Sequence, residues 1–192
     1  SRDYRNYINS TKAMAKTTNS SIRMLKARHG DAFILDLWKG ENHGCIVVDG
    51  GPSICGNTMV KELLQLEHID LMVLTHFDDD HIGGILKYVK FACEDCASWK
   101  VDELWVNNSK DYPISINSKL SYSQALCLSD ALEKIAENNK KLLWKPYINE
   151  GMVKEYPFAK ISVLSPPLVY QNAVIKKLEE NRIPLCYGEE EK

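Results

Sequence analysis

A layered α/β fold, with short apolar strands alternating with amphipathic helices, is what this sequence predicts. The stretch Leu71-Met72-Val73-Leu74 runs into Thr75-His76-Phe77-Asp78-Asp79-Asp80-His81, and Gly83-Gly84 and a helical pattern from Ile85 follow. A buried strand thus delivers its end into a tight turn closed by a helix N-terminus. Upstream, apolar segments separated by polar, Gly-containing turns read as an antiparallel hairpin.

Residues 1–20 are rich in Ser, Thr, Asn and Lys and lack alternation. They are expected to form a tail or an extra segment outside a domain spanning 21–192. Within that domain, strands are expected at 22–25, 32–38 and 45–48, with turns at 28–31 and 39–44. A helix over 57–68 follows, with Asn57 as its N-cap and Val60, Leu63, Leu64 and Glu67 at helical spacing. The strand at 71–74 and a helix over 82–91 come next, with Ile85, Leu86 and Val89 inward. A polar stretch then leads to a strand at 103–107, and Pro113 marks 110–121 as a loop. An amphipathic helix over 122–139 carries Ala125, Leu128, Leu132 and Ile135 on one stripe. Strands at 142–144 and 161–164 follow, the latter stopped by Pro166-Pro167, with a short helix at 174–180.

The chain has 192 residues, 44% of them hydrophobic, enough for one domain with a real core. Its formal charge of −2 predicts no general pull toward nucleic acid or anionic lipid, so any such contact must be local. No apolar run approaches the ~18–20 residues of a membrane span, and no membrane partner is expected. Cys45 and Cys127 sit in apolar segments as reduced core thiols do, which favours a cytoplasmic home. Cys93-Glu94-Asp95-Cys96 is a lone pair without a second pair or a nearby His, so two ordinary thiols are expected there.

The chemistry concentrates at the end of strand 71–74. His76, Asp78 and Asp80 project to one side of an extended backbone, and a sharp turn brings His81 to join them. Two imidazoles and two or three carboxylates in six residues repel and desolvate badly unless a cation lies between them. A solvated acidic loop is the bland alternative, and the preceding buried strand argues against it. His29 is expected in a surface turn, His43 in a hairpin loop and His68 at a helix end, while the four tryptophans are expected to pack.

Thr75-His76-x-Asp78-x-Asp80-His81-x-Gly83-Gly84 resembles the metal-binding motif of metallo-β-lactamase fold hydrolases, whose usual form is His-x-His-x-Asp-His. Asp78 in place of the second His resembles the hydrolase domain of the ComEC family of DNA-uptake proteins and its stand-alone relatives. Gly30-Asp31-Ala32-Phe33-Ile34-Leu35 and Cys45-Ile46-Val47-Val48-Asp49-Gly50-Gly51-Pro52-Ser53 are similar to that family's opening strand and second motif. The resemblance spans about 22–167 and implies a metallo-β-lactamase-like αββα sandwich, of which the alternating elements match one αβ half.

The resemblance also implies a dinuclear centre and a metal-bound hydroxide that attacks a phosphodiester, with ions ~3.5–4 Å apart. His76 and Asp78 would serve one ion, and Asp80 and His81 the other, with Asp80 also the catalytic residue that orients the water. Asp49 would orient the metal loop and Asp31 would stand at the rim, while Asp79 would be a loop residue pointing away. A carboxylate at 78 hardens the site toward Mn²⁺ or Mg²⁺, with Zn²⁺ still compatible, and hard ions suit phosphate oxygens. Relatives carry further ligands downstream, a Gly-Asp strand end and a His-His-Gly segment. No His follows His81 here. The expectation is therefore an N-terminal portion whose site is completed by a further C-terminal region or a partner chain. A nucleic-acid substrate is expected; the alternatives are a hydrolase of small esters, lactones or lactams, and a degenerate interaction module.

Overall fold

The computed structural model describes residues 19–109, 119–139 and 141–165. Eight strands and three α-helices occur among them. Strands β1 (Ser21–Met24), β2 (Phe33–Lys39) and β3 (Asn42–Val48) pair antiparallel. Helix α1 (Gly56–Gln65) leads to β4 (Ile69–Val73), α2 (Asp79–Glu94) to β5 (Val101–Trp105), and α3 (Lys119–Asn138) to β6 (Leu143–Lys145). From β3 to β6 the pairing is parallel, so the six-stranded sheet keeps chain order. Each parallel step is made by a helix, as such crossovers require. A second sheet pairs β7 (Val153–Glu155) with β8 (Lys160–Ser162).

The sheet has two different faces. Ile34, Cys45, Val47, Met72 and Leu104 share one buried cluster with Met59 and Leu63 of α1, Ile85 and Val89 of α2, and Leu128 and Leu132 of α3. The alternate residues Ile46, Leu71 and Trp105 pack instead with Phe158 and the β7–β8 hairpin. Helices over one face of a mixed sheet, with strands over the other, are the arrangement of one αβ half of a metallo-β-lactamase-like sandwich. The inward residues expected on α2 and α3 are buried. No described helix is long and apolar enough to cross a membrane.

Several boundaries differ from the sequence expectations. The polar turn at 39–44 shrinks to Gly40 and Glu41, because Lys39 pairs with Asn42 and Gly40 takes the φ of +63° that a two-residue hairpin loop needs. His43 is therefore in β3, stacked on Trp38 and bonded to Asp36. Helix α1 starts at Gly56, so Asn57 is not its N-cap, and it ends at Gln65, so Glu67 lies beyond it and is exposed. His68 lies beyond that helix, where it faces Asp70 at 3.6 Å and Asp102 at 3.2 Å. Strand β7 had no sequence signal, since its three residues, Val153, Lys154 and Glu155, are too few to show a period. Residues 119–121 are helical rather than loop. The expected helix at 174–180, most of the 1–20 tail, 110–118 and Pro166-Pro167 lie outside the described residues.

Among the described residues Cys45, Cys55, Cys93, Cys96 and Cys127 are free cysteines. Burial first, then Asp36 and Asp70, push the Cys45 thiol up to about 11, which leaves it inert near neutrality.

Candidate metal centre

The site is built where β4 ends. Beyond Val73, Leu74 still donates to Trp105 O at 3.0 Å, and Asp78 has an extended backbone (φ −68°, ψ 145°). There the chain turns into α2. The Asp78 carbonyl accepts from His81 N at 2.9 Å and Ile82 N at 3.0 Å, which starts the helix three residues earlier than its apolar pattern. Asp79 and Asp80 occupy the first turn, where carboxylates suit the positive end of the helix dipole. Extended alternation therefore does not carry through Asp80. Asp80 and His81 reach the site by helical rotation instead.

His76, Asp80 and His81 converge, one ligand atom from each lying within 4.8 Å of the others. The two imidazole rings are 3.8 Å apart between centroids. His81 Nε2 stands 3.6 Å from Asp80 Oδ2, and Asp78 Oδ2 is 3.7 Å from His76 Nε2. Asp78 flanks the group from the His76 side without joining it, and Asp31 Oδ2 is 4.0 Å from His81 Nε2 on the other side. The ligand edge is open to solvent, with His76 48% exposed, whereas His81 is 12% exposed.

Asp49 organises this edge from below. Its carboxylate is buried, and it accepts from Thr75 N at 2.8 Å, Thr75 Oγ1 at 2.7 Å and His81 Nδ1 at 2.9 Å. The network assigns both imidazole tautomers. A carboxylate only accepts, so the Thr75 hydroxyl proton points to Asp49 and His81 carries its proton on Nδ1. Thr75 Oγ1, its proton thus committed, must accept from His76 Nδ1, 3.0 Å away. In its neutral form each ring then has its lone pair on Nε2, the atom that stands 3.6 Å from Asp80 Oδ2 in His81 and 3.7 Å from Asp78 Oδ2 in His76. Nδ1–H groups held by oxygen with Nε2 free is the state in which His binds a metal, so the donor set fits a divalent cation.

The sequence explains the close approaches. Asp49 adopts φ +57°, a conformation Asp tolerates, and Gly51 follows at +69°. A Cβ on Gly30 would lie 2.0 Å from Asp80 O, so only glycine lets that turn reach α2 and lets Asp31 N donate to Asp80 O at 3.1 Å. Asp79 is a helical residue facing away from the ligand group, and its Oδ1 accepts from Ser53 Oγ at 2.7 Å and Gln124 Nε2 at 2.6 Å. Burial raises its carboxyl, but the Ser53 and Gln124 donors outweigh that and hold it below the ordinary value. Thr75, Ser53 and Gln124 escaped the sequence reasoning. Thr75 stood inside the motif as a visible signal; Gln124, 45 residues from Asp79, carried none.

No curated protein matches the chain. Residues 26–116, which contain every side chain of the ligand cluster, match the family model of the metallo-beta-lactamase superfamily, a match that supports this fold and suggests a metal-dependent hydrolase.

Proposed function

We propose that the chain carries the metal-binding part of a phosphodiester hydrolase that acts on DNA or RNA. The observation that carries this reading is the convergence of ligand atoms of His76, Asp80 and His81, with the Asp78 carboxylate beside His76. Two divalent ions, Mn²⁺ or Zn²⁺ with Mg²⁺ also compatible, fit these donors. His76 and Asp78 would hold one, and Asp80 and His81 the other. When bound, such ions supply Lewis acidity and screen the charge of a phosphodiester. The second carboxylate on the His76 side favours harder ions and hence phosphate oxygens over a lactam or thioester. Asp80, 35% exposed, is open enough to reach substrate and is the group to orient an attacking water and take its proton. Asp31, at the rim, would face the substrate. Three or four side chains under-fill two ions, so further ligands would come from residues outside those described or from a partner chain.

The test is cleavage of single- and double-stranded DNA and RNA by the metal-loaded protein, with metal content measured in parallel. Mn²⁺-dependent cleavage is expected, abolished by EDTA and lowered about 10²- to 10⁴-fold by Asp80→Ala. Metal-loaded protein that leaves all four substrates intact while hydrolysing small esters refutes the nuclease assignment. Protein that retains no metal points instead to an interaction module.

A further inference from the structure

We propose that Asp79, held by Ser53 and Gln124, is a positioning residue that sets the rotation of the first turn of α2 and so brings Asp80 and His81 to one point. The inference rests on the metal-binding assignment above and assigns a role to a residue facing away from the site.

Successive helical residues point about 100° apart, so three neighbours cannot all face the ligand group. Asp80 and His81 face it; Asp79 turns outward. There Asp79 Oδ1 accepts from Ser53 Oγ and Gln124 Nε2, and the same Nε2 donates to Ser53 Oγ at 2.9 Å. This closed three-membered ring ties the short turn Ser53–Cys55 and α3 to the first turn of α2. Gln124 is 8% exposed, so its amide is seated in the packing of α3 and offers a fixed anchor.

The two ligands on that turn are held unequally. His81 is fixed from inside by its Nδ1–H bond to Asp49. The Asp80 carboxylate has no hydrogen bond to any described residue, so its place follows from the helix backbone that carries it. A small rotation of the turn would move Asp80 off the focus while Asp49 kept hold of His81. Asp79 opposes that rotation from the outer side, as Asp49 opposes it from the inner one. Groups that orient metal ligands in this way change metal affinity by about 10- to 100-fold when removed.

The experiment measures the Mn²⁺ dissociation constant by calorimetry and the visible spectrum of the Co²⁺-loaded protein, in the full chain. Asp79→Ala and Gln124→Leu are expected to weaken Mn²⁺ binding about 10-fold or more and to alter the Co²⁺ bands. Asp79→Asn keeps an acceptor oxygen for both donors and is expected to bind Mn²⁺ nearly as wild type does. A cooperative melt shows that each variant is folded, and Gln124→Leu carries the test if Asp79→Ala is not. Unchanged affinity and spectrum in folded Asp79→Ala, beside a wild type that binds both metals, overturns this inference alone. Asp79→Asn as weak as Asp79→Ala also overturns it, since charge rather than hydrogen-bonded position would then matter. A wild type that binds neither Mn²⁺ nor Co²⁺ overturns both this inference and the metal-binding assignment.

Discussion

Asp49 does at the scale of one residue what the ligand cluster cannot do for itself. It accepts hydrogen bonds from the Thr75 hydroxyl and from His81 Nδ1–H, and through Thr75 it also orients His76. Its backbone at φ +57° accepts Asn readily, so Asp49→Asn is a clean probe. The added NH₂ stands either against the Thr75 amide, at the place of Oδ1, or against the Thr75 hydroxyl and His81 Nδ1–H together, at the place of Oδ2. If it faces His81, the imidazole proton moves to Nε2 and the ligand lone pair is lost. Asp49→Asn is therefore expected to weaken Mn²⁺ or Zn²⁺ binding about 10- to 100-fold with little change in melting temperature, read by metal titration and thermal melts. Asp49 stood out in the sequence through the likeness of its Asp-Gly-Gly segment to the family's second motif, since the pattern alone fits an ordinary turn as well. The Asp79–Gln124 contact did not, because its partners meet only after α2 and α3 have packed.

At the scale of elements, the close packing of α2 on the loop after β3 decides the site. Gly50 N donates to His81 O at 2.8 Å and Gly84 N to Gly51 O at 3.0 Å, so loop and helix run backbone to backbone. A Cβ on Gly84 would lie 2.0 Å from Gly50 O, a contact that no side-chain rotation relieves. Gly84→Ala is expected to destabilise the fold by roughly 1–3 kcal/mol, measured by urea unfolding. Gly56→Ala makes the control. Its Cβ would stand 3.1 Å from Lys87 Cβ and Cδ, a contact that a shift of a few tenths of an ångström relieves, so a smaller loss is expected. The Gly-Gly pair was visible in the sequence as the end of the turn. The start of α2 was misplaced at 82 because its first turn, Asp79-Asp80-His81, is polar and exposes no apolar period.

At the scale of the molecule, the sheet's second face is joined to the β7–β8 hairpin by one buried carboxylate. Glu103 is 4% exposed and accepts from Trp105 Nε1 at 2.8 Å, Tyr156 Oη at 3.0 Å and Lys154 Nζ at 2.9 Å. Burial pushes its carboxyl up, but Lys154, Trp105 and Tyr156 outweigh that and hold it below the ordinary glutamate value. A carboxyl lowered on folding contributes stability above its unfolded pKa, and that stability is lost as pH falls through the folded value. Unfolding free energy should therefore drop as pH falls below the usual glutamate range. Glu103→Gln should be less stable at neutral pH and show a flatter acid limb, read by denaturation across pH. A steep acid limb unchanged by Glu103→Gln would assign the acid sensitivity to other carboxylates.

Local pattern was enough for the alternation of strands and helices, the hairpin, the buried stripes of α2 and α3, and the crowding of His and Asp residues in the turn after β4. These depend on neighbours a few positions apart, where periodicity and glycine placement act directly. Long-range packing had to choose which donors share a focus. It left Asp78 flanking the cluster, set the tautomers through Asp49 and Thr75, and joined Asp79 to Gln124 across 45 residues of chain. Contacts of that kind carry no period, because they are made between surfaces that exist only once the elements have docked.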